Sequence, residues 1–199
     1  MNTIEITSKG AGKKDFARLK SVIACASKDP NRAAINLVQV ESTENGNTIT
    51  ATDGRRLRSD QFKIEAEPGL YEIKTANAKT VFLVQSEDKV IFPNYGQVIP
   101  LHDQQTAYSM ECQGKKVVLW AASALGCYLD PKLVEVGEDE MVTLYIQKST
   151  PHLSPALVKN KTTTLVVMPI NPDGAWLRQI EAIKIDQMQL LEKEERQAA

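Results

Sequence analysis

The chain has 199 residues, 42% of them apolar and 25% charged, with a formal net charge of −1. That length holds one large or two small domains with a real core, in the composition of a soluble globular protein. No apolar run approaches a membrane span, and Met1-Asn2-Thr3-Ile4-Glu5 has neither the basic nor the apolar region of a signal peptide, so a cytoplasmic protein with no membrane partner is expected. Cys25, Cys112 and Cys127 form no Cys-x-x-Cys pair, which suits a reducing compartment. His102 and His152 stand at no metal-ligand spacing from a cysteine or from each other, so no metal is expected. The charge is uneven: residues 1 to 32 hold seven cations against three anions, a balance of +4, and the remainder carries −5. One cationic face on an acidic body is compatible with a polyanionic partner.

Asn2 to Thr7 alternates polar and β-branched residues and reads as a short strand. Gly10-Ala11-Gly12 breaks it. Lys13 to Ser27 then takes helical periodicity, with Phe16, Leu19, Val22, Ile23 and Ala26 on one side. The opposite stripe is Lys14, Arg18, Ser21, Cys25 and Lys28, flanked by Lys13 and Lys20, and Asp29-Pro30-Asn31 stops the helix. Ile35 to Val40 and Thr48 to Thr52 read as strands about an Asn45-Gly46 turn, because alternation around such a turn is a strong hairpin signal. Ser59 to Glu65 is a further strand with Phe62 and Ile64 inward. Leu70 to Thr75 and Lys79 to Gln85 follow as a strand pair, with a short helix over Lys79 to Val84 as the alternative. In the second half Ala107 to Gln113 and Lys115 to Ala121 read as a hairpin about Gly114, burying Tyr108, Met110, Val117 and Leu119. Ser123 to Leu129 reads as a short helix capped by Ser123. Met141 to Gln147, Ala156 to Lys159 and Thr162 to Met168 finish the sheet, and Glu135, Glu138, Asp139 and Glu140 form a solvated acidic loop. After Pro172-Asp173-Gly174, Trp176, Ile180, Ile183, Gln187 and Leu190 mark a helical tail.

Between the first hairpin and the next strand lies Ala51-Thr52-Asp53-Gly54-Arg55-Arg56-Leu57, a strand end running through a glycine turn into two arginines and an apolar residue. Taken alone it is either a solvated turn or a cationic rim beside an apolar pocket. Asp53 at such a turn serves local backbone donors.

That heptapeptide resembles a sequence in the middle domain of bacterial DNA polymerase sliding clamps, the DNA polymerase III beta subunits. Phe92-Pro93-Asn94-Tyr95-Gly96-Gln97-Val98-Ile99-Pro100 resembles the same family's Phe-Pro-Asp-Tyr linker, and Val166-Val167-Met168-Pro169-Ile170 resembles its closing strand. The three matches stand in the family's order and cover residues 1 to 170. The resemblance implies an α+β, DNA-clamp-like fold, with two helices packed on a curved antiparallel sheet. Here the front of a clamp's middle domain is joined to the back of its last one. Residues 1–172 then form the clamp-like part, as one domain or as half-domains 1–100 and 101–172, and residues 173–199 a C-terminal helical extension without counterpart in the family.

The resemblance also implies a function: encircling double-stranded DNA and tethering polymerase or repair proteins through short linear peptides. The implied peptide groove is Thr52, Gly54, Arg55, Arg56, Leu57, Pro93, Val98, Val166 and Met168. The implied DNA-facing residues are Lys13, Lys14, Arg18, Lys20 and Lys28, which would meet phosphates without reading bases. Arg55 stands where the family often has histidine, and Gln97 where an arginine commonly precedes the valine. Gln187-Met188-Gln189-Leu190-Leu191 resembles the glutamine-and-leucine peptides that bind clamp grooves, without their terminal phenylalanine. Because clamps close a ring from six domains, a chain this short would need to form a homo-oligomer to encircle a duplex. The alternative is a clamp-derived interaction module that does not bind DNA. The sequence has no Gly-x-Gly-x-x-Gly or Walker loop, no Gly-x-Ser-x-Gly and no His-Glu-x-x-His, so neither catalysis nor a cofactor is expected.

Overall fold

The computed structural model describes residues 2–9, 13–174, 176–178 and 180–182. In chain order the elements are β1 (Thr3–Thr7), α1 (Lys13–Ile23), α2 (Ala33–Asn36), β2 (Val38–Thr43), β3 (Gly46–Thr52), β4 (Arg56–Phe62), β5 (Gly69–Ala76) and β6 (Thr80–Gln85). A 3-10 turn follows at Tyr95–Gln97, then β7 (Ala107–Gln113), α3 (Gly114–Ala124), β8 (Met141–Gln147), β9 (Ala156–Lys159) and β10 (Thr163–Val167). The residues group into two compact units, Met1–Val98 with Lys159–Val166, and Ile99–Val158 with Val167–Ala199.

In the first unit the strands lie in the order β1-β6-β5-β2-β3-β4-β10. The pairings of β1 with β6, β6 with β5, β5 with β2, β2 with β3 and β3 with β4 are all antiparallel. Strand alternation sends Ile4, Ile6, Val38, Val40, Ile49, Ala51, Phe62, Tyr71, Val81 and Leu83 to one face. The apolar stripe of α1, Phe16, Leu19, Val22 and Ile23, covers that face. Leu19 and Val22 are wholly enclosed. Burying a side chain of that size stabilises by about 1.5–3 kcal/mol, so the helix is held by its stripe more than by its intrinsic propensity.

In the second unit β9, β8 and β7 are neighbours in that order, and β7 runs antiparallel to β8 from Ala107–Gln147 to Gln113–Met141. Val142, Leu144 and Ile146 alternate inward along β8, and α3 packs on β7 and β8. Helical structure resumes at Gly174. Asp173 Oδ1 accepts from the Trp176 N–H at 2.8 Å, the indole N–H donates to the Leu129 carbonyl at 2.8 Å, and the indole meets the Tyr128 ring edge to face at 5.1 Å. Both Gly10-Ala11-Gly12 and Gln187-Met188-Gln189-Leu190-Leu191 lie outside the described residues.

Several expectations are corrected. Lys115 to Ala121 is not a strand paired with β7 but the body of α3, and β7 pairs with β8 instead. The Val117–Leu119 alternation is coincidental, since Val118, Leu119, Ala121 and Ala122 are buried at the three-and-four spacing of a helix, while Tyr108 is exposed. Ser123 to Leu129 accordingly holds the end of that helix. Gly126 donates to the Ser123 carbonyl at 3.0 Å and Cys127 to the Ala122 carbonyl at 2.9 Å, the paired bonds of a Schellman stop. Ile35 and Asn36 belong to α2 rather than to the strand that starts at Val38. Cys25 is fully buried, because α1 ends at Ile23 and the turn after it swings the thiol under the helix.

The acidic run also has a defined place. Gly114 N–H donates to the Glu140 carbonyl at 2.9 Å, which sets Glu138, Asp139 and Glu140 beside the N-terminal end of α3, where negative charge is favourable. Gly114 has φ +78°, and a Cβ there would overlap the Glu138 carbonyl oxygen. Gly114→Ala is therefore expected to lower stability by roughly 2–3 kcal/mol, read from the midpoint of urea unfolding.

Candidate functional site

β4 is buried on both faces, and its alternation divides the candidate residues between them. Arg58 pairs with Ala51 and Asp60 with Ile49, on the face that α1 covers. Leu57 pairs with Thr52 and Ser59 with Thr50, on the opposite face.

On the helix side Asp60 is completely buried. Its carboxylate receives Arg58 Nε and Nη2, both at 3.1 Å, and lies 3.5 Å from Arg18 Nε of α1. Burial pushes the Asp60 carboxyl above the ordinary aspartate range, while Arg58, Arg18 and the Thr163 hydroxyl pull it back. Arg18 is further engaged by Asp15 at 3.2 Å and by the Gln61 carbonyl at 2.6 Å, with its guanidinium 4.7 Å from the Phe62 ring centre. The five cations expected to face DNA are thus not equivalent. Arg18 is folded onto the sheet, Lys20 is half-buried with Nζ 5.6 Å from the Phe16 ring, and Lys13, Lys14 and Lys28 are exposed.

At the end of β3 the chain makes a preset turn. Asp53 Oδ1 accepts from the Arg55 and Arg56 N–H groups at 2.8 and 3.0 Å, and Thr52 Oγ1 accepts from Gly54 N–H at 3.1 Å and donates to the Arg56 carbonyl at 2.7 Å. Arg56 pairs with Asp53 at 3.3 Å and reaches the Ala24 carbonyl just beyond α1 at 2.6 Å. Arg32 donates to the Asp53 carbonyl at 2.8 Å. Its guanidinium lies against Gly54, whose φ is +88° and where a Cβ would stand 2.8 Å from Arg32 Nη2. Arg56 is therefore a strut. The Arg55 side chain projects into solvent and has no partner among the described residues.

At the far edge of β4 from β3, the Gln61 N–H donates to the Thr162 carbonyl at 2.8 Å, and on the helix side Asp60 bonds the Thr163 hydroxyl. Those contacts run β10 antiparallel to β4. Carried along the ladder, they set Leu57 opposite Val166. Leu57 and Val166 are each 3% exposed and Thr52 9%. The segment that follows β6 crosses the face away from α1. Tyr95 donates to Glu41 of β2 and sits beside the Thr50 hydroxyl, and Phe92 is buried with its ring edge to face with Tyr95 at 6.3 Å. Pro93 and Val98 on that segment are exposed. Thr52, Leu57 and Val166 thus share one face of the first unit, with Gly54 and Arg55 at the turn beside it, and Tyr95 ties the segment that carries Pro93 and Val98 to that face at β2 and β3. Met168 lies in the second unit and is 39% exposed. Sequence reasoning missed Arg32, Tyr95 and Glu41. An arginine just past the helix stop and a tyrosine after Pro-Asn were the available signals.

Among the described residues no group of three or more His, Cys, Asp and Glu side chains could hold a metal ion. Burial pushes the Cys112 thiol up to about 11 and the Cys127 thiol up to about 12, which leaves both unreactive.

No protein-family model and no curated protein matches the chain. Solved structures do. A putative DNA polymerase III beta subunit from Eubacterium rectale has a TM-score of 0.57 at 12% identity, over 85% of this chain and 65% of that one. The DNA polymerase sliding clamp from Bacillus subtilis gives 0.51 at 12% identity, over 86% and 64%. The DNA polymerase III beta subunit from Thermotoga maritima gives 0.50 at 16% identity, over 87% and 66%. The chain has the bacterial sliding-clamp fold. It spans just under two thirds of the length of those clamps. The clamp fold accounts for the repeated order of one strand, a helix and then further strands, seen first from β1 and again from β7.

Asp60→Asn removes the buried carboxylate that Arg58 donates to twice, and is expected to cost about 3–5 kcal/mol in urea unfolding. Replacing Arg58 and Asp60 together by Met and Leu is expected to recover most of that loss.

Proposed function

We propose that the chain is a clamp-like tether without chemistry of its own. It captures a short linear peptide of a polymerase or repair protein on the face of Leu57 and Val166, and it meets duplex DNA through the lysines of α1 and Lys28 just beyond it. The observation that supports this most is that residues far apart in sequence meet one sheet face of the first unit: Thr52 and Leu57 at the end of the β3–β4 ladder, Val166 of β10, and Tyr95, which bonds Glu41 of β2. Apolar walls from Leu57, Val166, Pro93 and Val98 suit a partner's leucine or phenylalanine, and Arg55 offers a charge-assisted hydrogen bond to its polar end. In a clamp-like assembly several copies of the chain would associate around the duplex. The sliding-clamp fold and the absence, among the described residues, of any helix long and apolar enough to cross a membrane are consistent with this reading.

A second reading, an interaction module that does not bind DNA, draws support from one observation. Arg18 is spent on Asp60, Asp15 and Gln61, so α1 presents fewer free cations than its sequence suggests.

Two measurements decide between failure and success of each arm. Leu57→Asp is expected to abolish capture of a labelled glutamine-and-leucine peptide ending in phenylalanine, read by fluorescence anisotropy, and unchanged capture would move the site elsewhere. Duplex affinity at rising salt is expected to fall with a log–log slope of about −0.9 per phosphate contact, and replacing Lys13, Lys14 and Lys28 by alanine should flatten it. No duplex binding even at low salt leaves the second reading standing.

A further inference from the structure

The segment bearing Pro93 and Val98 has few attachments of its own. Between the end of β6 at Gln85 and the 3-10 turn at Tyr95 it forms neither strand nor helix, and Ile91, Pro93 and Asn94 are exposed. Among the described residues the Ser86 N–H, which donates to the Leu70 carbonyl at 2.7 Å, holds its start, and two side chains hold the rest to the first unit. Phe92 is 7% exposed, and Tyr95 donates its phenol proton to Glu41 Oε2. The acceptor is well placed for this task, because β2 is an interior strand between β5 and β3. Burial, and then the bond to Glu41, push the Tyr95 phenol up to about 12, so it keeps its proton and remains a donor at any working pH. The turn itself is closed by Gln97 N–H to the Asn94 carbonyl at 3.4 Å and Val98 N–H to the Tyr95 carbonyl at 3.0 Å, so Val98 follows wherever the Tyr95 backbone is placed.

We infer that Tyr95 and Glu41 are positioning residues of the peptide slot: their hydrogen bond latches the segment to the sheet face and sets Pro93 and Val98 beside Leu57. Neither residue touches the ligand. The role rests on the peptide-slot reading, and it adds a determinant of affinity that lies outside the expected groove residues. Tyr95→Phe keeps the ring, its burial and its edge contact with Phe92, and removes only the donor. Glu41→Gln keeps an acceptor for the phenol. Glu41→Leu removes it.

The test uses the whole chain and the fluorescein-labelled glutamine-and-leucine peptide ending in phenylalanine, with amide hydrogen exchange as a second readout. Tyr95→Phe and Glu41→Leu are each expected to raise the Kd about tenfold, the double variant no further than either single one, and Glu41→Gln to stay within about twofold of the natural chain. Exchange at residues 92–98 should quicken in Tyr95→Phe while that of β3 and β4 stays as it was. A chain whose peptide binding is lost with Leu57→Asp but kept in full by Tyr95→Phe overturns the latch alone. No peptide binding by the natural chain overturns the slot and the latch together.

Discussion

The buried carboxylate of Asp60 is the point at which helix and sheet are fastened. It takes two hydrogen bonds from Arg58 of its own strand and lies beside Arg18 of α1, in an interior otherwise lined by Phe16, Leu19, Ile49 and Phe62. An apolar stripe drives α1 onto the sheet, but apolar contact is non-directional and leaves the helix free to turn or slide by a small amount. An ion cluster in that interior has one good geometry. Its net stabilisation is modest because desolvation offsets the attraction, and a mismatch is severely penalised. The same arrangement withdraws Arg18 from the surface that α1 presents.

β4 transmits this order to the other side of the first unit. Its even-numbered residues meet the helix, and its odd-numbered residues line the face where Thr52, Leu57 and Val166 gather. A one-residue slip of the strand would exchange the two sets, putting Asp60 on the opposite face and Leu57 under the helix. The Asp53 turn guards against such a slip. Thr52, Asp53 and Gly54 close a ring of hydrogen bonds around the start of β4, and Arg56 and Arg32 tie that ring to the backbone beyond α1 and to the turn itself. The arginines of this stretch are divided accordingly: Arg56 and Arg58 hold the fold, and Arg55 is exposed to solvent.

Agreement with solved clamps at 12% to 16% identity has the same origin. A sheet face needs apolar residues at every second position and a helix stripe at every third or fourth, and many side chains of similar volume meet that need. Few residues can replace a glycine at positive φ or the aspartate that organises the turn after β3. Sequence identity can therefore fall low while the fold is kept.

Much was open to reading in the chain itself. The α1 stripe, the hairpin about Asn45-Gly46, the strands of β5 and β6 and those of β8 to β10 follow from periodicity and turn chemistry, which are local properties. The clamp-like fold followed from three short motifs in order. Other features depended on neighbours distant in sequence. Val117 and Leu119 alternate like a strand, and only packing of Val118, Leu119, Ala121 and Ala122 on β7 and β8 makes the segment a helix. Arg18 reads as a surface cation on a helical wheel, yet a carboxylate forty-two positions later, enclosed by the sheet, draws it inward. Tyr95 and Glu41 carry no mark in sequence that joins them. Local pattern determines which elements form, because backbone preference and alternation act within a few residues. Which charged and aromatic side chains end up holding those elements together is decided by the tertiary structure, because burial and pairing exist only once distant strands have met.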